Sequence, residues 1–289
     1  MASHNIPGSL YKYFPPERID SLENLEVAFS PLCTFNDPFE GRPDIHGLTT
    51  GEQLLSKLQE NLPDAIQKQY AALPKERQDL ITFDLFKAKM IALAEANLAG
   101  EAATFQAALT KIAKQMPDHM AKIMGAMCLC ETRDSLLMWA HYARSHSGFV
   151  IEFDTSSPFF NRKRTESDEN YHLRRVLYRS RRPSGHLIDF DGNELFLVKS
   201  DDWSYEKEWR IFAPLHEADR EIPAGDGTVA LFKLPIESIK SITIGARASS
   251  FVQSTTCAFA INSRSHHISV YHAVPSQTHF MLDFEKLAI

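Results

Sequence analysis

Glu206, Glu208 and Arg210 stand at alternate positions in the stretch Trp203-Ser204-Tyr205-Glu206-Lys207-Glu208-Trp209-Arg210. Read as a strand, the stretch sends all three side chains to one face, because strand side chains alternate. Two carboxylates about 7 Å apart on one face repel each other and raise a pKa, while a guanidinium beside them pulls the other way. Such a set can position a sugar hydroxyl, or steady a positive, oxocarbenium-like centre at a glycosidic carbon. The plain alternative is an exposed charged edge, or an Arg–Glu pair holding a turn; the flanking tryptophans argue for burial.

Two further clusters could serve the same chemistry. In Met138 to Gly148, Trp139 and Tyr142 share a helix face, and His141 is a candidate acid or base. His141 and His146 are five apart and share no face; with Cys128 and Cys130 they give only half of a zinc spacing, so no metal is expected. Each histidine alone reads as a hydrogen-bonded, part-buried ring. Asn36-Asp37-Pro38-Phe39-Glu40 forms a rigid turn, which either caps its own amides or presents Asp37 and Glu40 to a cleft. Arg162 to Arg182 holds eight Lys or Arg against three acids, a phosphate grip or a solvated loop.

The elements that must position these residues fall into two kinds. Residues 49–122 are rich in Ala, Leu, Lys, Glu and Gln. Thr49 and Glu52 read as a capping box, Pro74 suits a first helical position, and Phe105, Leu109, Ile112 and Met116 repeat at helical spacing. Three or four helices are expected there, as an insertion or cap. Residues 1–48 and 123–289 carry short alternating segments: Leu10 to Phe14, Leu25 to Phe29, Met127 to Cys130, Gly148 to Asp154, Val176 to Tyr178, Leu195 to Lys199, Glu206 to Pro214, Val229 to Leu234, Ile239 to Gly245 and Ile268 to Val274. Few helices separate them, so the expected fold is α+β, with a mainly antiparallel sheet core and an inserted helical subdomain.

The 289 residues carry 31 basic and 37 acidic side chains, a net charge of −6 that gives no bulk attraction to nucleic acid or anionic lipid. Four cysteines are too few for a disulfide scaffold, and neither a signal peptide nor a spanning segment is visible. A soluble, cytoplasmic protein is expected. Walker A, Rossmann, nucleophile-elbow and H-E-x-x-H motifs are absent.

The motifs Leu10-Tyr11-Lys12-Tyr13, Phe35-Asn36-Asp37-Pro38-Phe39-Glu40, Cys128-Leu129-Cys130-Glu131, Leu137-Met138-Trp139-Ala140-His141-Tyr142-Ala143 with His146-Ser147-Gly148, and the Trp203 to Arg210 stretch occur in that order. In this the chain resembles the bacterial domain of unknown function family 2971, except over the helical stretch; Cys130 stands where that family's Cys-Phe-Ser-type strand suggests serine. More faintly it resembles ADP-ribosyltransferases, whose order is a basic residue on an early strand, a serine-bearing strand, then a late Glu-x-Glu. Tyr11-Lys12-Tyr13, Cys128 to Cys130 and Glu206-x-Glu208 take those places, with lysine for the usual arginine or histidine and cysteine for serine. The resemblance implies split sheets and NAD as co-substrate. It implies that Glu208 holds the nicotinamide ribose and favours nicotinamide loss, and that Glu206 positions the acceptor. Tyr11, Tyr13 or Trp139 would stack on nicotinamide, with Lys12, Asn36, Asp37, Glu40, Tyr142, His146 and Arg210 completing the nucleotide site.

The residues and the resemblance together leave three readings. The first is an NAD-cleaving, ADP-ribosyltransferase-like enzyme, a toxin or phage-defence effector with a protein or nucleic-acid acceptor. The second is a metal-independent hydrolase of nucleotides or nucleic acid, using the same carboxylates, His141 and the basic stretch. The third is a non-catalytic partner-binding component of a defence or toxin–antitoxin pair, with the amphipathic helices as contact surface.

Overall fold

The computed structural model describes residues 5–224, 227–262 and 265–289. They divide into two compact units: Met1–Arg42, Asp118–Arg182 and Gly192–Ile289 form one, Pro43–Pro117 and Pro183–Asp191 the other. The second unit contains helices Gly51–Ala71 and Lys75–Gln78, most of the long helix Phe83–Ile123, and a parallel pair of short strands, Asp44–Gly47 and Ser184–His186.

The capping box sits one residue later than Thr49 and Glu52. Thr50 is the extended residue before the first turn; its hydroxyl accepts from Gln53 N–H at 3.1 Å, and the Gln53 side chain accepts from Thr50 N–H at 3.2 Å. Thr49 instead donates to the Gln53 side chain at 2.6 Å. Thr50→Ala is expected to cost about 1 kcal/mol of local helix stability. Hydrogen exchange should quicken in the first turn of Gly51–Ala71 and leave the sheet unchanged.

The Phe105, Ile112 and Met116 stripe is 48, 59 and 46% exposed, so it is not the packed face of its helix. That face carries Ala102, Gln106, Thr110 and Ala113: both alanines are buried, Gln106 donates to the Thr49 carbonyl at 2.7 Å, and Thr110 lies against Gly47. Small side chains allow the close approach that a row of large apolar ones would prevent.

The first unit is built on an eleven-stranded sheet. Its order runs Arg220–Ala224, Gly227–Lys233, Glu26–Pro31, Met124–Cys130, Ser9–Phe14, Phe149–Asp154, Ile239–Ile244, Ser269–Pro275 and Leu282–Lys286. Glu208–Pro214 pairs with Met124–Cys130 and with the short Arg174–Arg175. Within this sheet pairing is antiparallel except between Ile239–Ile244 and Ser269–Pro275, whose connection contains helix Ser250–Ile261, as a parallel crossover requires. The α+β class with a mainly antiparallel sheet is therefore observed. Phe149–Asp154 is central: Phe149, Ile151 and Phe153 enter the main core on one face, and Val150 packs with Tyr13 and Trp139 on the other. Among the described residues, no helix is long and apolar enough to cross a membrane.

Two features of this sheet open and line a cavity. Glu208–Pro214 pairs with Met124–Cys130 in continuous register from Glu208↔Cys130 to Pro214↔Met124. On the other edge of Met124–Cys130, Ser9–Phe14 pairs only through Tyr11↔Cys130, and Glu26–Pro31 only at Ala126 and Gly125. The sheet is therefore split there, between the two contacts. The second feature is a departure from the strand expected over Leu195 to Lys199 and Glu206 to Pro214. Gly192–Leu197 is a 3-10 helix, followed by the short strand Val198–Ser200. Ser200 then caps a second 3-10 helix, Asp201–Glu206. Lys207 takes a left-handed conformation, φ 44°, and the strand begins only at Glu208.

Candidate functional site

A cavity of about 390 Å³ opens where the sheet is split. Tyr11, Lys12 and Tyr13 line it from one strand, and Cys128 and Cys130 from the next. Glu208 and Arg210 come from the strand paired to Cys128 and Cys130, so they share a face as expected. Glu206 reaches the same place from the 3-10 helix, because the left-handed Lys207 reverses the chain between the two carboxylates. His141 and Tyr142 come from the short helix Leu136–Tyr142, capped by Ser135, and Asn36 and Glu40 from the turn after Glu26–Pro31.

The floor is a buried ionic cluster. Arg210 grips Glu208 with two bonds of 2.8 Å, from Nε to Oε1 and from Nη2 to Oε2. It also pairs with Glu40, and its Nη1 donates to the Phe196 carbonyl at 2.6 Å. Lys199 shares Glu208 Oε2 with Arg210 and reaches the other two carboxylates: its Nζ is 2.5 Å from Glu206 Oε2, 3.2 Å from Glu208 Oε2 and 3.8 Å from Glu40 Oε2. Tyr142 donates to Glu206 Oε1 at 2.6 Å, and the Tyr178 hydroxyl accepts from Glu208 N–H at 2.8 Å. Three carboxylates, Glu40, Glu206 and Glu208, thus face two cations, Lys199 and Arg210, in a cluster whose side chains are each no more than 6% exposed. Glu40 Oε2 accepts no hydrogen bond.

Burial and the neighbouring charges both act on protonation here. Burial lifts the Glu208 carboxyl to about 7; Lys199 pulls it down, and Glu206 pushes it further up. Burial by itself would lower the Lys199 ammonium, but Glu208 and Glu206 outweigh it and hold the pKa above its ordinary value. Burial and Glu208 raise the Cys128 thiol well above its ordinary range, and burial pushes Cys130 up to about 12, so neither is a ready thiolate. Among the described residues, no three His, Cys, Asp or Glu side chains are grouped to hold a metal ion.

Ten of the residues singled out from sequence line this cavity: Tyr11, Lys12, Tyr13, Asn36, Glu40, His141, Tyr142, Glu206, Glu208 and Arg210. Asp37 is buried beside it; its Oδ1 accepts from Phe39 N–H at 2.9 Å, and its Oδ2 has no partner. Trp139 does not reach the cavity. It is fully buried, donates from Nε1 to the Arg133 carbonyl at 2.7 Å, and meets Tyr13 edge-on, so it braces the wall and is not free to stack on a ligand. His146 lies outside, its ring parallel to Trp139 and lining a separate pocket with Arg247 and Phe280. The left-handed run Arg144, Ser145 and His146 carries the chain away from the site.

Sequence reading missed Lys199, Tyr178 and Phe35, whose ring lies 5.0 Å from the Arg210 guanidinium. A signal for Lys199 existed: a lone lysine closes the apolar run Leu195-Phe196-Leu197-Val198. Three of the eight basic side chains in the basic stretch pair with carboxylates. Arg164 pairs with Asp168 and Glu217 at 3.2 Å each, Arg174 with Glu169 at 3.2 Å, and Arg175 with Glu131 at 3.6 Å.

The family model described as "Protein of unknown function (DUF2971)" matches residues 138–211, which bears out the resemblance over those residues. That span holds His141, Tyr142, Lys199, Glu206, Glu208 and Arg210, while Tyr11 to Tyr13, Asn36 to Glu40 and Cys128 lie before it. Neither the curated proteins nor the solved structures include a match.

Proposed function

We propose that this cavity cleaves the nicotinamide–ribose bond of NAD, in an ADP-ribosyltransferase-like reaction. The observation that carries the reading is the excess of carboxylates over cations, three to two, in the buried floor. Buried charges are weakly screened, so an uncompensated negative charge favours a cationic ligand and, more strongly, a cationic transition state. NAD carries a positive charge on its nicotinamide ring, and departure of neutral nicotinamide moves that charge onto the ribose C1. In this reading Glu208 is the carboxylate that faces it. In the same reading Glu206, on its own turn and held by Lys199 and Tyr142, serves the acceptor, and the buried Glu40 Oε2, which accepts no hydrogen bond, takes one from a ribose hydroxyl or the carboxamide N–H. Tyr11, Tyr13 and Tyr142 supply aromatic lining for a flat ring. The meeting of the three segments named by the ADP-ribosyltransferase resemblance at one cavity supports the reading further.

Toxin or defence-effector action on a macromolecular acceptor belongs to the same proposal. The phosphate grip that a nucleic-acid hydrolase requires is weakened by the carboxylate partners of Arg164, Arg174 and Arg175. The test is NAD binding by calorimetry and nicotinamide release by chromatography with the folded protein. Binding in the cavity with steady nicotinamide release is the expected result; absence of both would overturn the proposal.

A further inference from the structure

Lys12 is a cavity side chain that the cleavage mechanism leaves unused. Of the three Lys and Arg residues lining the cavity, Lys199 and Arg210 hold carboxylates. Lys12 holds none: its Nζ donates to the Cys128 carbonyl at 3.2 Å and lies 5.7 Å from the Phe14 ring centre. That carbonyl belongs to the part of Met124–Cys130 left between its contacts with Ser9–Phe14 and Glu26–Pro31, so the amine stands in the split itself. An ammonium half-buried against the Phe14 ring, with one carbonyl acceptor and no counterion, loses hydration that is replaced only in part. Burial accordingly lowers the Lys12 pKa, with Cys128 and Glu208 opposing the effect only in part. An amine in such a place is a nucleophile toward carbonyl carbon.

We propose that Lys12 captures aldehydes in this cavity as an imine, and that its natural reactant is the open-chain C1 aldehyde of a ribose. The source of that aldehyde rests on the proposed NAD cleavage: hydrolysis of an N-glycosidic bond leaves a hemiacetal C1 that equilibrates with its aldehyde. The Nζ lone pair adds to C1, and a proton passes from nitrogen to oxygen to give the carbinolamine. Loss of water then leaves the C=N bond. Glu208 lines the same cavity and, with its carboxyl near 7, can lend the proton that the departing water carries off. Release of the ribose reverses these steps by adding water.

The experiment supplies the carbonyl directly. The full chain is incubated with ADP-ribose and sodium cyanoborohydride at neutral pH, and modified lysines are mapped by mass spectrometry. Hydride from the reagent goes to carbon, which fixes the imine as a secondary amine. Lys12 is expected to be labelled at least about tenfold faster than exposed lysines such as Lys57, because the cavity holds the reactants together. Lys12→Arg, with unchanged thermal unfolding, should lose that fast label. Labelling confined to exposed lysines would overturn the inference, since an amine that only fills a gap in the sheet would not react faster than the surface. A parallel incubation with NAD separates the two proposals. Lys12 labelled by ADP-ribose, with no nicotinamide released from NAD, sustains the inference and sinks the cleavage reading. Nicotinamide released with Lys12 unlabelled does the reverse.

Discussion

Glu208→Gln is expected to lower nicotinamide release from NAD by about 10²–10³-fold while leaving the protein folded. The substitution keeps size and shape and removes one charge, which reduces the carboxylates of the floor from three to two against the two cations Lys199 and Arg210. The field that favours a cationic C1 is lost with it. The fold should survive because the wild-type site already accepts a neutral Glu208: its carboxyl is lifted to about 7 by burial, with Glu206 adding to the lift and Lys199 opposing it. The same shift fixes two opposite pH trends. A carboxyl whose pKa is higher folded than unfolded binds more protons in the folded state between about 4.5 and 7. Its contribution to stability is therefore full below about 4.5 and is lost as pH rises through about 7, by up to about 3 kcal/mol. Activity that needs the carboxylate rises through the same interval. Wild-type kcat/KM should climb toward a plateau above pH 7, while chemical denaturation shows this part of stability falling; Glu208→Gln should lack both slopes. Retention of full activity in that variant would remove the carboxylate from the mechanism.

How much of this site could be read from the chain depends on the kind of interaction. Glu208 and Arg210 were legible because strand alternation is local, and their shared face follows from the period alone. Glu206 was assigned to the right place for the wrong reason. It reaches the cavity through a left-handed Lys207, a conformation rare for a side chain of that kind and without a marker in the sequence. Lys199 went unseen because its partners lie seven and nine residues away across a 3-10 helix, a separation with no fixed facing rule. Trp139 looked like a ligand-stacking ring, and His146 like part of the nucleotide site, because composition does not say which side of a segment faces inward. The outward stripe of Phe105, Ile112 and Met116 fails for the same reason: periodicity identifies a face, while packing chooses the face with Ala102 and Ala113. The split itself depends on which strands share the edge of Met124–Cys130, a long-range choice that short alternating segments do not encode.

Arg210→Met is expected to be the most damaging single change for stability, costing about 3–5 kcal/mol. Arg210 is 1% exposed and is the member of the cluster that joins three elements: the Glu208 carboxylate on its own strand, Glu40 from the turn, and the Phe196 carbonyl from a 3-10 helix. Methionine fills much of the volume but leaves three buried carboxylates facing Lys199 alone. For a unit of this size the loss corresponds to a fall in Tm of about 10 °C. Arg210→Lys should recover only part of it, since an ammonium cannot reproduce the two-pronged grip on Glu208. The pH dependence identifies the cause. Without Arg210 the carboxylates hold their protons to higher pH in the folded state, so the variant's deficit should be small near pH 5 and should grow toward pH 8. Combining Arg210→Met with Glu208→Gln should cost less than the two changes summed, by about 1–3 kcal/mol, because the second change removes a charge that the first leaves unpaired. A deficit equal at both pH values, with additive single changes, would instead assign the cost to lost packing and would mean that the excess of carboxylate is already neutralised by bound protons.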